Sequence, residues 1–532
     1  MRPSSVYYLR GNIQVEPLID RWYAWSYLIP PVTAARNITE RHLKIMASYV
    51  AAPEVHAAAV KNLAMRGGPF IDHGGERVEE IADLMAATQQ QRAQLVALSR
   101  AIKDLDDLLR QCAKGYGLLP LYDKIPEMLR GYVELVYDLN DHPSFRLLES
   151  LLYRSPYYDR RSQSLTLSVI TGDDRPFILS TPRLDSPDSI NLDIHFDDER
   201  VDWLFALKRT PQPWNAIADR LPAKDDQVAL LRSMFTEEPP QPYSSYRGKG
   251  VRWRYFGHAC ILIEADGVTM LFDPILSYTY ESDLSRYTYA DLPESIDFVL
   301  ITHNHQDHIL FETLLQLRSK IKHVIVPRNR TGTLQDPSVK LILQSIGFTS
   351  VIELSDCESL AFERGSITGL PFFGEHADLD IGSKLAYQIR LGSKSLLFLA
   401  DSCNVEPYVY ARLKEDIGPV DAMFIGMECD GAPLSWLYGP LLTRKVDRGM
   451  DGSRRLAGSN YDQAINIVDQ LRPHEVYIYA MGQEPWLNYI SSVRYTDHSR
   501  PIVDSNRVIE ECKRRGIIGE RLFGEKEVLL ET

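Results

Sequence analysis

The sequence predicts an α/β protein in two parts: a mixed α+β domain over residues 1–240 and, beyond a linker over 241–250, a layered α/β domain over 251–532. Three observations carry this. The stretch "TEEPPQPYSSYRGKG", Thr236 to Gly250, interrupts the composition with prolines, serines and glycines and reads as a connection between folded units. After it come short apolar runs of strand length, bounded by turn residues and interleaved with a helical stretch. One run leads straight into "ITHNHQDHIL", Ile301 to Leu310, which holds three histidines and an aspartate within His303 to His308. Such a loop, from a strand end to a helix start, is where layered α/β folds place their sites.

In the N-terminal part, Leu95, Leu98, Ile102, Leu105 and Leu109 recur at steps of three and four between charged residues, predicting one long amphipathic helix across Ile81 to Cys112. Its apolar stripe is a packing face, with a homodimer contact as a second use. From Ser162 to Phe196 the text reads as short strands joined by a Gly-Asp-Asp turn. In the C-terminal part, "VRWRYFGHACILIEADGVTMLFDP" predicts two strands meeting at Ala265-Asp266-Gly267 and ended by Asp273-Pro274. "IDFVLITH" is a buried strand, "ILFETLLQLRSK" a helix, and "HVIVP" and "KSLLFLADSC" are further buried strands, the last ending at Asp401.

Composition narrows the function. With 59 Lys plus Arg against 72 Asp plus Glu, the net charge of -13 argues against nucleic acid as a partner, because phosphate contacts need a basic face. No run of 18 apolar residues and no leader-like start is found, so no membrane partner is expected. Six scattered cysteines suit a reducing cytoplasm. No Gly-x-Gly-x-x-Gly occurs, so neither a flavin nor a nicotinamide is expected.

The spacing of the cluster points to metal. His303 and His305 stand two apart on extended backbone and project to one side, where both can reach one ion. Asp307 and His308 follow where the chain turns and face a neighbouring position. Four ligands in six residues suit two metals, and two cations need an anion between them; Asp401, at its strand end, is the candidate bridge. His258 in "FGHAC" is expected to buttress the first strands, and Asp273 to hydrogen-bond a ligand histidine. Glu428 and Asp430 follow a buried strand and are assigned no ligand role; Tyr287, Tyr289, Trp436 and Tyr438 are candidates for an aromatic pocket. "LLTRKVDRGMDGSRRLAGSN", Leu441 to Asn460, gathers Arg444, Lys445, Arg448, Arg454 and Arg455, as a solvated loop or a docking loop for an acidic, phosphate-bearing partner.

His303-Asn304-His305-Gln306-Asp307-His308 resembles the H-x-H-x-D-H signature of the metallo-β-lactamase superfold, with "YFGHACILIE", "LFDP" and "FLADSC" at the matching places. The resemblance spans roughly Val251 to Ile490 and implies a four-layer αββα sandwich. That fold usually hosts di-zinc hydrolases, and a di-zinc hydrolase is the alternative reading. Two departures oppose it. In "FFGEHADLD" Glu375 and His376 compete for the slot of the third histidine, and "YIYAMGQEPW" lacks the last histidine, His474 lying upstream. With Glu375 as ligand the set is rich in oxygen, which favours iron over zinc.

That pattern, with the long N-terminal region, resembles the di-iron β-hydroxylases of nonribosomal peptide assembly lines. The resemblance implies two Fe ions, dioxygen as cosubstrate and an external electron donor. It implies as partner a thiolation (carrier) domain whose phosphopantetheine bears an aromatic amino acid of the p-aminophenylalanine type, in antibiotic assembly of the chloramphenicol kind. Residue by residue it implies His303, His305 and Glu375 on one iron, Asp307 and His308 on the other, and Asp401 bridging, with His376 behind Glu375 and Glu375 able to change denticity when substrate binds.

Overall fold

The computed structural model describes residues 5–221, 223–329 and 332–531. The C-terminal apolar runs form two seven-stranded sheets. One runs Val351–Leu354, Ile321–Pro327, Ile296–Leu300, Val268–Phe272, Ile261–Ala265, Val251–Tyr255, Lys526–Leu530. The other runs Ser359–Phe362, Gly365–Leu370, Ala386–Leu391, Lys394–Phe398, Ala422–Gly426, Glu475–Tyr479, Ile518–Arg521. Period-two alternation divides each strand between layers. Ile263, Phe272, Leu300 and Ile325 face the second sheet, while their neighbours Leu262, Leu271, Val299 and Val324 face outward into helices. Between the sheets lies an aromatic stack, Phe272 on Phe398 at 3.9 Å and Phe398 on Phe424 at 4.6 Å between centroids. Helices Val409–Ile417, Tyr461–Leu471 and Arg500–Arg514 cover the far face of the second sheet; Phe311–Leu317 and Val339–Ser345 cover that of the first. This is the αββα sandwich that the resemblance implied.

The N-terminal part is mixed α and β, with a four-stranded sheet in the order Trp22–Tyr23, Ile13–Ile19, Gln163–Val169, Ser189–Leu192. It shares one apolar core with the outer face of the first sheet: Val15, Trp22, Leu167 and Phe205 belong to the same cluster as Val299 and Leu314. A buried ionic knot fastens the seam. Arg175 reaches Glu16 at 2.7 Å and Glu312 at 2.8 Å, Arg183 reaches Glu16 at 2.8 Å, and Tyr23 donates to Glu312 at 2.7 Å.

Three sequence expectations change. The long helix is two, Val78–Gln91 and Ala93–Cys112, broken at Arg92, whose guanidinium is drawn to Asp20 at 2.7 Å and Asp159 at 2.8 Å. Its stripe is a packing face all the same, Leu98, Ile102, Leu105 and Leu109 being buried against Val32 and Ala35. Strands Gln163–Val169 and Ser189–Leu192 pair antiparallel, yet Gly172-Asp173-Asp174 lies within a long irregular connection and makes no tight turn. "VRWRYFGHACILIEA" is itself two strands, turned back at Gly257 and His258, which hold φ of 108° and 51°. That turn lifts His258 out of the sheet.

Candidate metal centre

Strand Ile296–Leu300 ends beneath the cluster, and three ties to the second sheet fix the backbone beyond it. Leu385 N–H donates to the Thr302 carbonyl at 2.8 Å, the Tyr387 hydroxyl to that of Ile301 at 2.9 Å, and His303 bridges Lys384. The histidines therefore sit between the open ends of the two sheets. His303, His305, His308, Glu375 and Asp401 are all buried.

Their side chains form overlapping trios, His303–His305–Glu375 and His303–His308–Asp401, with a third, His258–Asp307–His308, alongside. Glu375 Oε1 lies 2.8 Å from His305 Nδ1, Asp401 Oδ2 3.0 Å from His308 Nε2, and His303 Nε2 lies 3.8 Å from Glu375 and 3.9 Å from Asp401. Ligands about 2.1 Å from a shared ion stand roughly 3 Å or a little more apart, so these separations fit a coordination shell. Buried polar atoms without any hydrogen-bond partner point the same way: His303 Nε2 and Asp401 Oδ1. The donor set thus fits two metal ions.

Hydrogen bonds select the tautomers. Thr302 donates its hydroxyl proton to Asp273 at 2.6 Å, so its oxygen, 3.0 Å from His303 Nδ1, accepts the ring proton there and leaves Nε2 as a bare lone pair. Asp273, 2.8 Å from His308 Nδ1, does the same for His308, as the sequence predicted. The Tyr438 hydroxyl, 3.0 Å from His305 Nε2, turns the Nδ1 lone pair of that ring inward. In these tautomers each of the three histidines offers a nitrogen to a metal, which would take the place of the proton that Glu375 otherwise draws to His305 Nδ1 and Asp401 to His308 Nε2.

His258 is different. The N–H of Gly482 donates to its Nδ1 at 3.2 Å, so the neutral ring carries its proton on Nε2, 3.2 Å from His308 Nε2 and 3.5 Å from Asp307 Oδ2. It enters the cluster as a proton donor beside Asp307. Sequence reading set it among the first strands because the Gly257 turn is not visible in a run that reads as one strand.

Charge obeys the same logic. Burial opposes ionisation of Glu375, yet the His305 and His376 rings hold its carboxyl down at about 2. Burial, together with the neighbouring rings, keeps His303 neutral well below its ordinary range. Burial likewise opposes the His308 cation, but Asp401 and Asp273 favour it strongly. Burial, and then Asp401, Asp307 and Glu375, push the Glu428 carboxyl well up from its ordinary range.

Glu375, not His376, meets His303 and His305; His376 Nδ1 lies behind it, 2.9 Å from Glu375 Oε2. The segment carrying Glu375 is wound left-handed, with φ of 62° at Gly374, 62° at Glu375, 53° at Ala377 and 57° at Asp378. A Cβ on Gly374 would come within 2.6 Å of the Cys403 side chain, so only glycine fits there. Arg454 donates to the Ala377 carbonyl at 2.8 Å and Lys384 to that of Gly374 at 3.2 Å, clamping the segment. The basic stretch accordingly divides: Arg454 is committed to this clamp and Arg455 reaches Asp430 at 3.3 Å. Of the aromatic candidates Tyr438 is at the site, whereas Tyr287 stands by Phe256 and Tyr289 beside Lys208. His474 is exposed and takes no part. The cysteines are all free, and no described helix is long and apolar enough to cross a membrane.

Comparison with known proteins agrees with this geometry. Residues 8–239 match the model of the diiron non-heme beta-hydroxylase N-terminal domain, and residues 252–428 that of a beta-lactamase superfamily domain. The chain is 42% identical, over 97% of its length and 98% of the relative's, to the 4-amino-L-phenylalanyl-[CmlP-peptidyl-carrier-protein] 3-hydroxylase of Streptomyces venezuelae. It is similar to the crystal structure of CmlA, a diiron beta-hydroxylase from Streptomyces venezuelae, with a TM-score of 0.93 and 41% identity over 99% of this chain and 100% of that one. An aspartate-for-glutamate variant of CmlA matches with a TM-score of 0.91 and 40% identity over 98% of this chain and 100% of that one. The chain belongs to the diiron non-heme β-hydroxylases.

Proposed function

We propose that this protein inserts one oxygen atom of dioxygen at the β-carbon of an aromatic amino acid of the p-aminophenylalanine type, held as a thioester on the phosphopantetheine of a nonribosomal thiolation domain. His303, His305 and Glu375 hold one iron, Asp307 and His308 the other, and Asp401 bridges them. The observation that carries this is the pair of overlapping donor trios with a carboxylate, Glu375, in the place where a hydrolase has an imidazole. Two nitrogens and a carboxylate at one position, and one nitrogen and a carboxylate at the other with a shared carboxylate between, make an oxygen-rich set that suits iron better than zinc. The relative's carrier-bound aminophenylalanyl substrate supports the same class of substrate here.

When bound, the irons supply the place where dioxygen is reduced, two electrons coming from the C–H bond and two from an external donor. The protein's own residues set the conditions. Thr302, Asp273 and Tyr438 hold each histidine in its ligating tautomer. Burial excludes water that would divert an oxidant, and the Tyr495 hydroxyl is buried without a hydrogen-bond partner. A benzylic β-carbon lowers the demand on the oxidant.

Elemental analysis with Mössbauer spectroscopy of iron-57 protein, followed by turnover of an aminoacyl carrier with reductant and dioxygen, tests the reading. About two coupled irons per chain and a β-hydroxylated product are expected. Two zincs with no iron retained on anaerobic loading would overturn it in favour of a hydrolase.

A further inference from the structure

A cleft runs along the seam between the N-terminal part and the catalytic sandwich. Its deeper end, about 280 Å³, is lined by Arg66, Arg494 and Asp174 among others; its wider end, about 570 Å³, is walled by Phe177 and Trp436. The two ends share Gly67, Gly68, Phe70 and Phe177, so they form one groove. Trp436 closes its side by donating to the Gly67 carbonyl at 2.9 Å and lying 6.2 Å from the Phe177 ring.

Each wall carries a residue that is close in the chain to one at the metal centre. Trp436 stands on helix Leu434–Tyr438, two residues before the tyrosine whose hydroxyl is 3.0 Å from His305 Nε2. Arg494 directly precedes Tyr495, whose buried hydroxyl has no hydrogen-bond partner and whose ionisation is opposed by burial and then by Glu428 and Asp401. The groove's walls are thus joined through the chain to Tyr438 and Tyr495, which face the metal centre.

The charges in the groove are uneven. Arg175 is spent on Glu16 and Glu312. Arg66 and Arg494 make no hydrogen bond or ion pair through their side chains among the described residues, and both line the same cavity; burial, and next the Arg494 charge, hold the Arg66 cation below its ordinary range, with Asp174 offsetting part. Their charge, offset only in part by Asp174, favours an anion in the cavity that both line, and forked N–H donors suit phosphate. Asp72 and Asp174 on the same wall oppose a polyanion, so the groove suits one phosphodiester charge followed by an apolar, amide-bearing stem.

We infer that this groove receives the phosphopantetheine arm of the carrier, its phosphate held between Arg66 and Arg494 and its stem running past Phe70, Phe177 and Trp436 toward the irons. The inference rests on the carrier-bound substrate proposed above. Calorimetric titration of the iron-loaded full chain with the methyl phosphodiester of 4′-phosphopantetheine and with pantetheine tests it without turnover. The phosphorylated ligand should bind the native protein about tenfold or more tightly. That preference should vanish in Arg66→Ala/Arg494→Ala and grow in Asp174→Asn. Equal binding of the two ligands by native protein, or a preference kept by the double variant, would overturn it. Failure of the carrier reading looks different: phosphopantetheine bound through the arginines, with no hydroxylation of any aminoacyl carrier.

Discussion

Replacing Arg454 by alanine probes how Glu375 is presented to the metals. Three non-glycine residues of its segment, Glu375, Ala377 and Asp378, hold left-handed backbone, at about 1 kcal/mol each and so about 3 kcal/mol together. Against that strain stands the bond from the Arg454 guanidinium to the Ala377 carbonyl at 2.8 Å, a charge-assisted contact of about 1.5–3 kcal/mol. The two magnitudes are comparable, so Arg454→Ala should let the segment relax and carry the carboxylate away from His303 and His305. A loss of about 2 kcal/mol from the bound geometry corresponds to roughly thirtyfold weaker iron at that position. Anaerobic competition for ferrous iron against a graded chelator measures it. Arg454→Lys, which keeps a donor, should fall between, and Arg455→Ala, whose partner Asp430 is exposed, should leave affinity unchanged. An Arg454→Ala protein with native iron affinity would refute the clamp.

Asp273→Asn removes the acceptor that fixes His308 and Thr302 and should weaken iron about 10–100-fold, read as stoichiometry after gel filtration. Glu312→Gln leaves Arg175 short of a charge in the buried seam and should cost about 3–5 kcal/mol in chemical unfolding. Lys208 is buried beside Gln316, and desolvation lowers its amine from 10.5 to about 7. The unfolded chain therefore binds the extra proton between those values, so the penalty is full below pH about 7 and fades as pH rises toward 10.5. Lys208→Met should raise the melting temperature most at pH 6 and little at pH 10, as scanning calorimetry would register.

How much of the fold and the site was legible in sequence depended on how local the cause was. The buried strands and the His303 to His308 loop were, because apolar runs of five residues and ligands two to three apart are short-range signals. Asp273 and Asp401 were placed by their strand ends, and both lie at the cluster. What failed was long-range. Arg92 breaks a helix whose period runs through it because its partners, Asp20 and Asp159, lie 72 and 67 positions away. Tyr438 could not be singled out from 28 tyrosines, since its partner His305 is 133 positions distant. Arg454 looked like one of five loop cations, and only the fold brings it to a carbonyl 77 positions back.

The second metal position shows why the missing histidine matters chemically. His258 fills the space, its Nε2 within 3.5 Å of Asp307, and a count of nitrogens alone would make it the replacement ligand. The Gly482 N–H on its Nδ1 argues otherwise, because a neutral ring that accepts there carries its proton at Nε2 and has no lone pair to offer. On the assignment proposed above, the position keeps His308 as its one nitrogen, with Asp307 and Asp401 supplying oxygen, which separates it from a zinc site built on fixed imidazoles. His258→Gln, which can keep an N–H near Asp307, should then retain two irons per chain with an altered Mössbauer spectrum. Loss of one iron from that variant would mean that His258 ligates, and that the Gly482 contact is given up when metal binds.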